Sequence, residues 1–284
     1  MSTDDAPRLK LPDLRFVPVE ALIPHEQHDP QRSAPLVQRL REQGVLRNPP
    51  VVTPLHPDED LFVVLDGANR ATAAAAAGLP HMVVQVVRYE DPGIRLTTWH
   101  HALSELPIAQ LEAALNGIAG LGCLEADLRH ARAVLARREA IAFVALPGDR
   151  ALTLHGGGEL SQRNAVLNAV VDAYRSRSRF YRVPSDSLLE AQAEHKDVTA
   201  LVVFPHFEPD EVLELAASGA RLPAGITRHL IAWRALRLNL PLERLADTRA
   251  TLAEKNRWLQ DWLREKVHQR QVRFYQESTV LFDE

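Results

Sequence analysis

The stretch Leu61-Phe-Val-Val-Leu-Asp-Gly-Ala-Asn-Arg-Ala-Thr72, which runs on through alanines to Ala77, decides the fold. An apolar run ending in a carboxylate reads as a buried strand, Gly67 as a tight turn, and the alanines as a helix. A helix entered this way presents backbone N–H groups and a partial positive charge, which suit a phosphate. Gly67 lets a ligand approach the backbone closely. Arg70 can fork onto phosphate oxygens. Asp66, at the strand end, is placed to hold a magnesium ion or to take a proton. The same residues also make an ordinary corner with Asp66 as N-cap. The motif therefore takes its weight from the strand before it and the helix after it.

Outward from this corner, strands and helices alternate. Leu14 to Val19 reads as a strand, Val19 to Pro24 as a turn, and His25-Glu26-Gln27-His28-Asp29-Pro30 as a polar loop. Pro35 to Gln43 has helical spacing and is closed by Gly44. Pro50 to Thr53 is a short buried strand. Beyond the alanine helix and its stop at Gly78-Leu-Pro80, Met82 to Val87 is another strand. The region from Thr98 to Glu139 is expected to be mostly helical, on the spacing of Ile108 to Leu115 and the arginine-studded Leu128 to Arg138. Ala140 to Leu146 opens a second α/β region with a hairpin across Pro147-Gly-Asp149, and an amphipathic helix over 251–268 ends it. The expected class is α+β or α/β, with domains at 1–100 and 140–284 and a helical connector at 101–139.

Composition narrows the function. The chain has 284 residues, a formal net charge of -4, 46% hydrophobic and 25% charged residues, as a soluble globular protein does. The acidic balance weighs against a nucleic-acid partner. Cys123 is the single cysteine, so no intramolecular disulfide forms, which fits a reducing cytoplasm. Its glycine-rich surroundings read as packing. The acidic start Met1-Ser-Thr-Asp-Asp5 has no apolar h-region, and no run approaches a membrane span. A cytoplasmic protein is expected. Walker-type loops, protein-kinase signatures, serine elbows and zinc-type Cys/His pairing are missing.

Three further clusters carry chemistry. In His25-Glu26-Gln27-His28-Asp29, Glu26 follows the first strand and can face a ligand, while the spacing matches no strong metal signature. In Thr97-Thr98-Trp99-His100-His101, Trp99 can wall a pocket or fill an inter-domain core. In Gly225-Ile-Thr-Arg-His229, Thr227, Arg228 and His229 offer a hydroxyl, a guanidinium and an imidazole after a glycine turn.

Together these pieces resemble the ParB/sulfiredoxin-like superfamily, and within it the free L-serine kinase branch, which includes O-phospho-L-serine-forming enzymes of siderophore pathways. The resemblance runs through Phe16-Val-Pro-Val-Glu-Ala-Leu-Ile-Pro-His-Glu26, Leu46-Arg-Asn-Pro-Pro-Val-Val-Thr53, Val64-Leu-Asp-Gly-Ala-Asn-Arg70, Ala76-Ala-Gly-Leu-Pro80, Thr98-Trp-His-His101, Leu222-Pro-Ala-Gly-Ile-Thr-Arg-His229 and Leu238-Asn-Leu-Pro-Leu242. Where sulfiredoxins carry a catalytic cysteine, this chain has Ala68. Where some serine kinases have histidine before the arginine, it has Asn69. The basic helix-turn-helix of ParB partition proteins has no counterpart after Trp99.

The resemblance implies transfer of the terminal phosphoryl group of ATP or ADP to the hydroxyl of free L-serine, with Mg2+. It implies Glu26 as the base, with Asp66 binding the metal or sharing that role. Gly67, Ala68, Asn69, Arg70, Ala71 and Thr72 would cradle the nucleotide phosphates. Trp99, Thr227, Arg228 and His229 would hold serine or the phosphoryl group. A non-catalytic ParB-like regulator, or a kinase or nucleotide hydrolase with another small substrate, shares the corner and stays open. No membrane partner is expected, and the oligomeric state is open.

Overall fold

A computed structural model describes residues 11–27, 38, 42, 44–57 and 59–275. The expected helix over 35–43 and the loop residues His28 and Asp29 lie outside the described residues in whole or in part. The elements in chain order are β1 (Asp13–Pro18), β2 (Leu22–Pro24), β3 (Val45–Leu46), β4 (Val51–Pro54), β5 (Phe62–Asp66), α1 (Ala68–Ala76), β6 (His81–Val86), β7 (Ile94–Thr98), β8 (His100–Ser104), α2 (Ile108–Asn116), β9 (Leu121–Asp127), α3 (Leu128–Ala136), β10 (Ala142–Leu146), β11 (Arg150–Gly156), α4 (Leu160–Arg175), β12 (Arg179–Val183), α5 (Leu188–Glu194), β13 (Val198–Val203), α6 (Pro209–Ala217), β14 (Thr227–Ile231), β15 (Leu240–Pro241), α7 (Leu242–Ala246) and α8 (Leu252–His268).

Two larger sheets organise the chain. The first has the order β1-β6-β4-β5-β2, with β2 parallel to β5 and β4 parallel to β6. The second has the order β12-β8-β13-β10-β11-β9 and is antiparallel throughout, including the expected hairpin β10-β11. The class is therefore α+β, and the second region is not an α/β unit with parallel strands.

The expected helical connector at 101–139 is corrected by β8 and β9, which supply two of the six strands of the second sheet. The C-terminal portion is also divided. β14 returns to pair with β7, and α8 packs across β1, where the Asn256 side chain accepts from the Phe16 N–H at 2.8 Å and donates to its carbonyl at 3.0 Å. Thr251 caps α8 in a reciprocal capping box with Glu254, as the S/T-x-x-E spacing favours.

β5 shows how the two sheets share a core. Its residues alternate between faces as a strand requires. Phe62 and Val64 pack with Ala71 and Ala74 of α1 and with Leu259 and Leu263 of α8. Val63 and Leu65 pack into the larger core with Leu103, Val144, Leu222 and Ile226. The strand leading to Asp66 is thus buried on both faces and fixed from both halves of the chain.

Candidate active site

The corner at 66–70 has the expected strand–turn–helix form. Gly67 is the N-cap of α1 with φ of 91°, a left-handed conformation suited to glycine. A Cβ at Gly67 would stand 2.6 Å from the Arg70 Nη2, so the arginine folds back across the turn only because no side chain is there. No side chain caps this helix, and Asp66 does not serve as its N-cap. The Arg70 and Ala71 N–H groups donate to the Gly67 carbonyl at 2.9 and 3.0 Å. The N–H groups of the first helical positions, Ala68 and Asn69, are the ones such a helix leaves for an outside acceptor.

Asp66 Oδ2 accepts from Arg70 Nη2 at 2.9 Å and pairs with Arg234. Two guanidiniums thus meet one carboxylate at the positive end of a helix. Arg234 carried no sequence signal. It is held there by the buried Gln85, whose amide donates to the Trp233 carbonyl at 3.1 Å and accepts from the Ala235 N–H at 2.8 Å. A lone glutamine inside Met82 to Val87 was the available clue, because a buried amide must find partners.

Glu26 reaches the same edge of the first sheet. β2 and β5 run parallel, with Pro24 opposite Val64, and their carboxyl ends lead into Glu26 and Asp66 respectively. Glu26 Oε2 accepts from the Gly225 N–H at 2.7 Å; Oε1 accepts from the Thr227 N–H at 2.7 Å and the Thr227 hydroxyl at 2.5 Å. Backbone bonds between 25–27 and Leu222 tie the two segments together. Gly225 has φ of 76°, and a Cβ there would fall 2.1 Å from the Arg182 guanidinium carbon. This turn needs glycine to aim its N–H at Glu26.

Behind the turn, His101 is fully buried. Its Nε2 donates to the Gly225 carbonyl at 3.2 Å, and its Nδ1 accepts from the Tyr174 hydroxyl at 2.7 Å. Burial pushes its pKa down to about 3, and that of the buried His100 down to about 4. Both are neutral in the folded state, whereas in the unfolded chain they take up protons near the ordinary histidine value. Their contribution to stability is complete above that value and is lost as the pH falls through the folded values. The thermal midpoint is expected to drop between about pH 6.5 and 4. His101→Gln, which keeps a donor for Gly225, is expected to flatten that slope by up to about 1.4 kcal/mol per pH unit, read from denaturation curves.

The structure divides the Thr-Arg-His cluster. Thr227 and His229 face His25: the Thr227 hydroxyl lies 2.7 Å from His25 Nε2, and the His229 ring stands edge-on to His25 with centroids 5.2 Å apart. Arg228, between them, stacks over Trp99 with its guanidinium carbon 4.3 Å from the ring centroid. Arg228 also lines a cavity of about 800 Å³ with Thr97, Thr98, His100 and His206. The Thr227 hydroxyl is engaged by Glu26 and His25, and His229 Nε2 is hydrogen-bonded with the Tyr89 hydroxyl at 2.9 Å. His25 is the residue whose role the sequence did not isolate, because its partners come from strands remote in the chain.

Among the described residues no three His, Cys, Asp or Glu gather as a metal site. Asp66, a single carboxylate at a helix N-terminus, is of the donor type that Mg2+ takes together with substrate phosphates, and it is shared with Arg70 and Arg234. No helix among the described residues is long and apolar enough to cross a membrane.

No family model matches the chain. It is 25% identical over 233 residues to an ATP-dependent L-serine kinase of Staphylothermus marinus, covering 81% of this chain and 90% of the relative. It is 22% identical over 251 residues to the ADP-dependent L-serine kinase SerK of Thermococcus kodakarensis, covering 86% of this chain and 100% of the relative. The solved structure of a free serine kinase in complex with AMP superposes with a TM-score of 0.71 at 18% identity, over 86% of this chain and 98% of that one. The chain is thus similar in sequence to L-serine kinases and has the free serine kinase fold. Of the two kinases named from sequence, one is ATP-dependent and the other ADP-dependent.

Proposed function

We propose that this protein is a free L-serine kinase, which transfers the terminal phosphoryl group of ATP or ADP to the serine hydroxyl and forms O-phospho-L-serine. The observation that carries this reading is the pairing of a hydrogen-bonded carboxylate, Glu26, with an arginine-lined helix corner at the ends of two adjacent parallel strands. Phosphoryl transfer depends mainly on alignment and charge neutralisation, which such a site supplies.

Glu26 takes the serine hydroxyl proton as the oxygen attacks phosphorus. Gly67, Ala68 and Asn69 offer backbone donors to the phosphates, with Ala71 and Thr72 completing the first helical turn and a half. Arg70 and Arg234 neutralise charge on the phosphates. Asp66 orients both arginines and would hold Mg2+, which neutralises phosphate charge when bound; Glu26, held in place by the Gly225 and Thr227 donors, takes the base role. Arg228 on Trp99 offers a cation to a carboxylate. His229 and Thr227 support the Glu26 side of the site. A cytoplasmic setting suits the lone thiol of Cys123, whose pKa burial raises.

Incubation of the purified protein with ATP or ADP, Mg2+ and a panel of free hydroxylated amino acids is expected to give phosphoserine by mass spectrometry. A product on another amino acid would change the substrate. Nucleotide hydrolysis without any phosphorylated amino acid would reject the kinase reading.

A further inference from the structure

Four polar atoms line up behind the carboxylate assigned as the base. The Val64 carbonyl lies 2.5 Å from His25 Nδ1, His25 Nε2 lies 2.7 Å from Thr227 Oγ1, and Thr227 Oγ1 lies 2.5 Å from Glu26 Oε1. Each of these three links is short enough to require a proton. A carbonyl only accepts, so the first proton sits on Nδ1. Two protons must then occupy the remaining two links. A neutral imidazole beside an ionised glutamate supplies only one, from the threonine hydroxyl, and one link would be left with two lone pairs facing each other. The observed geometry therefore holds one proton more than the neutral histidine and carboxylate together provide.

That proton has two possible homes, His25 Nε2 or Glu26 Oε1. The surroundings favour the first. Both oxygens of Glu26 accept backbone N–H groups, from Gly225 and Thr227, and such donors favour the ionised carboxylate. His25 Nε2 stands 4.0 Å from Glu26 Oε1, within ion-pair range. Another titratable group against the His25 ring is His229, which burial holds in its neutral form. Tyr89 reaches this group only through His229, as a neutral phenol.

We infer that His25 is a positioning residue for the base: a buried imidazolium that, through the Thr227 hydroxyl, holds Glu26 ionised and in one orientation. This rests on the kinase reading for its catalytic meaning, while the protonation state itself does not. In the reaction the serine hydroxyl proton passes to Glu26 Oε2, whose protein donor is the Gly225 N–H alone among the described contacts, and His25 keeps its own proton. The serine oxygen forms the new bond to phosphorus, and the bond from phosphorus to the bridging nucleotide oxygen breaks, with its electron pair leaving on the nucleotide. Without a proton on Nε2, the one hydroxyl proton of Thr227 would be claimed by Nε2 as well as by Glu26, and Glu26 would lose a donor.

Two measurements test this. The first is nitrogen-15 NMR of the histidine-labelled protein, with the His25 signals assigned by their disappearance in His25→Gln. Both ring nitrogens are expected to be protonated at neutral pH in the wild type, and the ring to become neutral in Glu26→Gln. A singly protonated His25 in the wild type at neutral pH overturns the inference, whether or not phosphoserine is formed. The second is the split between kcat and nucleotide KM. His25→Gln and Thr227→Val are expected to lower kcat roughly tenfold with nucleotide KM little changed, while Thr227→Ser restores kcat. An unchanged kcat in a folded His25→Gln overturns it. Because His25 is buried and its variant can fail to fold, the wild-type NMR result decides the matter on its own. Absence of phosphoserine in every protein would reject the kinase reading and leave the NMR result standing.

Discussion

Glu26→Gln is expected to lower kcat for phosphoserine formation by at least two orders of magnitude, about 3 kcal/mol of transition-state stabilisation. The substitution keeps the shape of the side chain but removes its capacity to take a proton. It also turns one oxygen that accepts hydrogen bonds into an amide that donates them, so either the Gly225 N–H or the two Thr227 donors lose their acceptor. The proposed nucleotide contacts lie at the Gly67 turn, on the neighbouring strand end, and nucleotide KM should change little. Loss confined to kcat is the mark of an interaction made in the transition state. Steady-state kinetics with product detection reads both constants, and near-normal turnover would remove Glu26 from the base role.

Arg70→Lys is expected to be the next most damaging change, with kcat/KM for nucleotide lowered by about tenfold or more, equivalent to about 1.4 kcal/mol. Lysine keeps the charge but not the planar fork. The Arg70 guanidinium lies against Gly67 and on Asp66, so its position depends on a flat group that fits over a residue without a side chain. A rounded ammonium on a flexible stem cannot hold both contacts. Arg234→Lys, at the other side of Asp66, should act on the same constant with a smaller effect, because its side chain is more exposed. Unchanged nucleotide constants in Arg70→Lys would separate the corner from phosphate binding.

The parts legible in the sequence were those set by local physics. The corner is a buried apolar run, a glycine that must adopt a left-handed conformation, and a run of good helix formers, so strand, turn and helix follow from neighbouring residues. The capping box at Thr251 and Glu254 marked α8 for the same reason. β8 and β9 were not legible. β8 reads His-His-Ala-Leu-Ser, which has no alternation because all five residues are buried. Its two histidines are accommodated by partners far away, His101 by Tyr174 and Gly225, and His100 by the Phe204 N–H. β9 contains Gly122, Glu125 and Asp127, weak strand formers on a largely exposed edge, and only pairing with β11 makes it a strand.

The candidate site divides in the same way. Glu26 and the 66–70 corner stood out through resemblance and motif. The second guanidinium, Arg234, and the strand partners of His25 come from remote parts of the chain, and local pattern carries no trace of such returns. Thr227, Arg228 and His229 were found as a cluster, but strand geometry sends the arginine to Trp99 and leaves its neighbours beside His25.

The most direct test follows the phosphoryl group itself. A single turnover with nucleotide labelled in its terminal phosphate, Mg2+ and L-serine is expected to place the label in O-phospho-L-serine with the wild-type protein, and to leave it on the nucleotide with Glu26→Gln. Label appearing only as inorganic phosphate, or reaching serine equally well in both proteins, would contradict the account.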